Sequence, residues 1–187
     1  MKTAKFMLPE VHLRITLSAI ALMAITLLTG CPFSSHCQLD ETPMVQTDPA
    51  LMGKWAAMAT DEMGKQYPVK LIISEKTDKI YDLVFVGELG KLNEYGFAVD
   101  DSLFAIGYMS MINNRQFMDI TIKSEHYIAE TKMENGKLSI LPLSEHFTNR
   151  IVRSNDQLKQ AIFYHFKTRL YPLYEEAFCL REMVKVN

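Results

Sequence analysis

Leu103 to Leu143, LFAIGYMSMINNRQFMDITIKSEHYIAETKMENGKLSILPL, decides the fold of this chain. Leu103 to Ile112 is apolar on both faces, and Asn113-Asn114-Arg115 then turns the chain. In the strand that follows, Met118, Ile120 and Ile122 fall on one face and Asp119, Thr121 and Lys123 on the other. A period of two marks a half-buried strand, because successive side chains of an extended chain point to opposite sides. His126 to Glu134 and Lys137 to Leu143 flank Asn135-Gly136, and Asn-Gly supplies the two positive φ angles that a tight hairpin needs. The stretch therefore reads as four antiparallel strands joined by short turns.

The same pattern extends outward. Tyr67, Val69, Leu71 and Ile73 alternate with Pro68, Lys70, Ile72 and Ser74, and a polar turn through Lys76-Thr77-Asp78-Lys79 leads into an apolar strand over Ile80 to Val86. A further strand is expected over Glu94 to Val99, ended by Asp100-Asp101. Beyond the quoted stretch the period changes. Ser154 followed three residues later by Gln157 fits a capping box, and Leu158, Ala161, Ile162, His165, Phe166 and Leu170 recur at helical spacing until Pro172. One amphipathic helix must cover something apolar, and the outer face of Leu103 to Ile112 is a candidate. A final strand is expected over Ala177 to Val186. Eight or so short strands, one helix and one more strand describe a sandwich or a closed barrel, and closure would remove exposed strand edges.

This order is similar to that of the lipocalins and the broader calycin group. Gly53-Lys54-Trp55, entering the first strand of the barrel, fits their Gly-x-Trp signature and contains the single tryptophan. The resemblance implies a mainly β fold over residues 53–187: an antiparallel up-and-down barrel of eight to nine strands, a C-terminal amphipathic helix and a final strand. It also implies an arginine, here Arg150 or Arg153, packed on the Trp55 indole as a cation–π contact. The family's Thr-Asp-Tyr motif has no counterpart, since Thr77-Asp78-Lys79 stands too early.

The first thirty residues are of another kind. Lys2, Lys5 and Arg14 against a single Glu10 make a basic leader, and Ile15 to Leu28 is an uncharged run of fourteen. Fourteen residues fall short of the roughly 20 that a membrane-spanning helix needs, and suit the apolar region of a signal peptide. Leu28-Thr29-Gly30-Cys31 resembles the lipobox of bacterial lipoproteins. That resemblance implies cleavage before Cys31, diacylglyceryl and acyl chains on Cys31, and anchorage in a membrane of the cell envelope. Pro32 in place of an aspartate favours, by the same analogy, the periplasmic face of an outer membrane where the organism has two.

The chain has 187 residues, 48% of them hydrophobic, with a net charge of −2. Removal of residues 1–30 leaves 157 residues with 17 basic and 21 acidic side chains, a charge of −4. An acidic surface excludes a nucleic-acid binder, which needs a basic stripe. Residues 31–52 are polar, proline-bearing and without period, and read as a lipidated cysteine and a tether. With Cys31 committed to lipid, Cys37 and Cys179 remain, and an oxidising compartment predicts a disulfide between them.

Residues that carry chemistry are sparse. Ser124-Glu125-His126 and Ser144-Glu145-His146 repeat a tripeptide, which reads as two polar strand approaches rather than a metal pair or a Ser-His-acid relay. No metal-ligand spacing, phosphate-binding glycine loop or nucleophile elbow occurs in the mature chain, so neither an enzyme nor a cofactor is expected. Methionine adapts to irregular apolar shapes, so Met109, Met111 and Met118, with Phe85, Leu103 and Tyr108 nearby, could line a pocket for a small hydrophobic molecule. Two functions follow: a membrane-anchored carrier of such a ligand, or an interaction lipoprotein with a packed barrel, a scaffold or inhibitor that meets an envelope protein through loops such as 87–93 or Asp100-Asp101.

Overall fold

A computed structural model describes residues 32–60, 66–87 and 102–186. Among the described residues the strands are β1 (Ser34–Ser35), β2 (Gly53–Thr60), β3 (Gln66–Thr77), β4 (Ile80–Gly87), β5 (Ser102–Ile112), β6 (Arg115–Ile122), β7 (Glu125–Glu134), β8 (Lys137–Pro142) and β9 (Leu180–Val186), with the α-helix α1 (Asn155–Thr168) and a single 3-10 turn (Glu176–Phe178) between β8 and β9. Strands β2 to β9 form a closed antiparallel barrel of eight, each paired with its sequence neighbour, and β9 closes it by pairing with both β8 and β2. The final strand is thus part of the barrel wall rather than an appendage. The strand expected over Glu94 to Val99, and the expected interaction loops after Gly87, lie outside the described residues.

Turn chemistry sets the register. Asn113-Asn114 and Asn135-Gly136 both hold positive φ, at 51° and 61° and at 52° and 75°, as the right-handed twist of a two-residue hairpin requires. The period of two then sorts the side chains. Trp55, Leu71, Ile73, Tyr81, Leu83, Met109, Met118, Ile120, Leu138 and Ile140 meet in the interior. At β9 a residue with φ of 49°, Glu182, breaks the alternation, so that Leu180 and Met183, three apart, are both buried in the interior cluster.

The outside of the wall carries a second core. Helix α1 lays Leu158, Ala161 and Ile162 over Ile112, Phe117 and Ile128. Its N-cap is Ser154, whose side chain accepts from Gln157 N–H at 3.3 Å, while Gln157 Oε1 accepts from Arg153 N–H at 2.8 Å. Arg169, at φ 49°, ends the helix three residues before Pro172, so Leu170 leaves the helical face on which its spacing placed it and is exposed. The helix covers only the C-terminal half of β5, and Phe104 and Ile106 on the other half remain exposed.

The segment expected as a free tether is a strap bound to the barrel. Pro32 bridges Ser144, Phe33 N–H donates to Leu143 O at 2.8 Å, and β1 continues the ladder on β7 where β8 stops. Leu39 is fully buried in the outer core. Farther on, Thr47 N–H donates to Asp78 O at 2.8 Å and Asp48 N–H to the Tyr81 hydroxyl at 2.6 Å. Val45, Leu51 and Met52 end the strap against the interior. Composition hid this because the anchoring residues are few and widely spaced.

Candidate functional site

Among the described residues, the barrel interior and the outer face of β3 to β6 are places that could hold a partner. In the interior, Met109 and Met118 are direct cross-strand partners, and with Leu103 they are buried. Phe85, the partner of Leu103, is half-buried against the same cluster. Met111 has the inward parity but stands one pair from the β5–β6 turn, and it is 51% exposed rather than part of a lining. Tyr108 belongs to the opposite face. The centre of the barrel is tightly filled: a Cβ on Gly107 would come within 2.9 Å of Leu83 Cδ1 and 3.2 Å of Met118 Sδ. Around this point Leu71, Met118, Leu138 and Met183 are fully buried, as in a close-packed core. One interior polar atom, Thr131 Oγ1, has no hydrogen-bond partner.

The outer face has room. An open groove of about 610 Å³ runs across β3 to β6, with Phe104, Ile106 and Val84 as its apolar floor and Ser74, Asp82, Thr121 and the lysines 76 and 123 around it. Ser74, Asp82, Ile106, Thr121 and His126 are successive cross-strand partners, so they share one row across the sheet. Lys76 Nζ lies 3.1 Å from Asp82 Oδ1 at the groove's side, an exposed pair worth little in stability.

At the end of that row is a buried polar cluster. Asp119 is fully buried, and a carboxylate there needs donors for its lone pairs. It has three. Leu39 N–H donates to Oδ2 at 2.7 Å, the Tyr108 hydroxyl to Oδ2 at 3.0 Å, and His126 Nδ1 lies 2.8 Å from Oδ1. Tyr108 also accepts from Asp40 N–H at 3.0 Å, and Asp40 is paired with Lys159 of α1. Burial, then the neighbouring Asp119 charge, push the Tyr108 phenol far above its usual range, so it stays a donor. This cluster fastens the strap. It does not form a catalytic relay, because Asp119 and Thr121 (3.2 Å) both face Nδ1, whereas a relay needs acid and nucleophile on opposite ring nitrogens. A second buried carboxylate, Glu130, is held by Arg115 Nη1 at 3.0 Å and by the Tyr174 hydroxyl.

The other sequence-level sites separate. His126 is paired with Asp119 while His146 is exposed, so the repeated tripeptides do not form a pair, and among the described residues no group of three His, Cys, Asp or Glu could hold a metal. His165 is a buried histidine satisfied by Phe147 O at 3.1 Å. Trp55 is capped by Lys185, its cross-strand partner on β9, with Nζ 5.3 Å from the ring. The expected arginines are elsewhere: the Arg150 guanidinium lies 4.5 Å over Tyr164, and Arg153 stands at the helix start, because the neighbour of β2 is β9 and not the β8–α1 connection.

The expected Cys37–Cys179 disulfide is absent, and both thiols are free. Cys37 follows β1 beside Ser35, near the β6–β7 turn. Cys179 precedes β9, where its Sγ sits 3.4 Å from Glu175 O. Burial, then Glu176, push the Cys179 thiol up to about 12. Cys31 lies outside the described residues. No family model, curated protein or solved structure matches the chain.

Sequence reasoning missed the strap's anchors. Asp119 sits on the polar parity of β6 and reads as solvated. The apolar Phe33, Leu39 and Val45 inside a polar run were the hint that this run lies on something.

Proposed function

We propose that this chain is a membrane-anchored lipoprotein of the bacterial cell envelope whose barrel is a non-enzymatic interaction module rather than a carrier. The observation that carries the reading is the close packing at the described centre of the barrel, where Leu83 and Met118 occupy the space that a Cβ on Gly107 would need. A barrel filled by its own side chains offers its outer wall and loops to a partner. The lipobox-like Leu28-Thr29-Gly30-Cys31 supports anchorage through acyl chains, and Pro32 supports an outer-membrane destination. Kinship with the lipocalins is supported by the strand order, the helix before the closing strand and Gly53-Lys54-Trp55.

A carrier of a small hydrophobic molecule is the second reading. The opposed thioethers of Met109 and Met118, which repack readily, favour it. Native mass spectrometry of the protein extracted from its own membranes separates the two. The interaction reading expects the mature chain with its covalent acyl mass alone, and an additional bound lipid would overturn it in favour of the carrier. Cys31→Ala is expected to move the protein from the membrane to the soluble fraction, and retention on the membrane would remove the anchor.

A further inference from the structure

We infer that residues 144–171, the β8–α1 connection with the outer side and end of α1, form the face on which the barrel rests on an anionic phospholipid bilayer. The inference depends on the reading of Cys31 as the lipid-bearing residue. If Cys31 carries acyl chains, the point of attachment is one residue from Pro32, about 3.8 Å from Cα to Cα. Pro32 is already bridged to Ser144, and Phe33 stacks edge-on against Phe147 at 4.9 Å between ring centres. No slack chain therefore separates the anchor from the barrel wall. The bilayer must meet the protein where the strap begins.

The surface around that point suits a bilayer. Phe147 O is held by His165 of α1, and Ser144 N–H donates to Leu173 O at 2.8 Å, which brings the chain after α1 beside the attachment point. On these two segments Ile151 and Leu170 are 74% and 73% exposed, and Tyr164 and Tyr171 are both 42% exposed. Exposed aliphatic tips with half-buried tyrosines fit the boundary between headgroups and acyl chains, where an aromatic ring can be apolar at one end and wet at the other. The charge agrees. Residues 144–171 hold five basic and two acidic side chains in a mature chain that is acidic overall. Of the five, Lys159 is engaged by Asp40, while Arg150, Arg153, Lys167 and Arg169 flank the exposed apolar residues. A basic rim around apolar tips is complementary to anionic headgroups, and the acyl chains supply the remainder of the hold.

The test uses the mature lipoprotein reconstituted in vesicles of phosphatidylethanolamine and phosphatidylglycerol, with part of the lipid brominated at shallow acyl positions. Leu170→Trp and Ile151→Trp each add an emitter at an exposed site, and Phe104→Trp adds one in the outer groove. Subtraction of the parent protein removes the signal of Trp55. Insertion to the depth of an interfacial side chain is expected to quench the added emission at positions 170 and 151 by about two-fold or more, with little loss at position 104. Equal quenching at all three, or none at 151 and 170, would overturn the docking face while leaving the anchor intact. The intact mass of the same sample reports the acyl chains on Cys31. A chain without that mass would overturn the anchor itself, and the docking face with it.

Discussion

The barrel carries two cores built on different logic. The inner one is largely a product of alternation: apart from the break at Glu182, every second residue of the described wall strands points inward, the set is almost wholly apolar, and its members come from strands that pair with their sequence neighbours, with Val45, Leu51 and Met52 of the strap added. The outer one is assembled from pieces far apart in the chain. Leu39 of the strap, Ile112, Phe117 and Ile128 of the wall and Leu158 and Ile162 of α1 meet there, alongside two buried carboxylates, Asp119 and Glu130. The inner core thus depends on packing volume, and the outer core depends on polar groups that fix where non-local segments land. Mutations in the first should unfold the whole domain, whereas mutations in the second should loosen a part of it.

Met118→Ala breaks the inner core most severely. It removes a fully buried side chain beside Gly107 and Leu83 and leaves a cavity that rigid strands cannot close. The expected loss is about 2–5 kcal/mol, read as a lower midpoint of one cooperative urea transition. Asp119→Ala addresses the outer core. Leu39 N–H would lose its acceptor in a dry place, and the Tyr108 hydroxyl would be left with Asp40 O alone, which together cost about 1–3 kcal/mol. The distinguishing measurement is hydrogen exchange. Amides of residues 36–48 should lose protection in Asp119→Ala while those of β3 and β4 keep it, and a uniform loss would contradict the division into two cores.

The two cores were not equally legible in the sequence. Inner positions such as Leu71, Met118 and Leu138 follow from period and turn residues, because strand geometry forces side chains to alternate. Asn135-Gly136 located a hairpin, and Ser154 with the apolar spacing of Leu158, Ala161 and Ile162 located the helix to within a turn. The burial of Asp119 could not be read in the same way. Whether a polar residue on the outer face of a strand is wet depends on what packs over it, and here the cover is Leu39, 80 residues earlier. Trp55 illustrates the same limit. Its cap is decided by which strand closes the barrel, so the indole takes Lys185 rather than Arg150 or Arg153. The groove over Phe104 and Ile106 was half visible. The two-sided apolar run of β5 was plain, but how far α1 would cover it was not.

Thr131→Val sharpens the contrast from the other side. Thr131 faces Ile140 within the inner set, and its hydroxyl has no partner. Valine has nearly the same shape without the unsatisfied group, so a gain of about 1 kcal/mol is expected. A loss would mean that the hydroxyl is satisfied within the barrel, and the inner core would then resemble the outer one in its polar wiring.

The smallest expected effect belongs to Cys37→Ser, which tests whether covalent linkage plays any part in holding the strap. A bridge from Cys37 to Cys179 would close nearly the whole domain into one loop, and its removal would cost about 2–5 kcal/mol. With both thiols free, the half-buried Cys37 should tolerate serine within about 0.5 kcal/mol. Thiol chemistry gives an independent reading. At pH 8 the Cys179 thiol, pushed up to about 12 by burial, is protonated and unreactive, so an aromatic disulfide reagent should titrate Cys37 readily and Cys179 only after unfolding. The same shift makes alkaline stability decline from pH 9 towards 12. In that range the unfolded chain, with the ordinary value near 9.0, ionises Cys179 while the folded chain does not. Cys179→Ala should remove the part of the decline that begins near pH 9, leaving the part above pH 10 that the buried Tyr108 and Tyr174 phenols contribute, whereas Cys37→Ser should leave the whole decline in place. The strap would then be held by hydrogen bonds and by Leu39, and the redox state of its surroundings would not decide whether it stays docked.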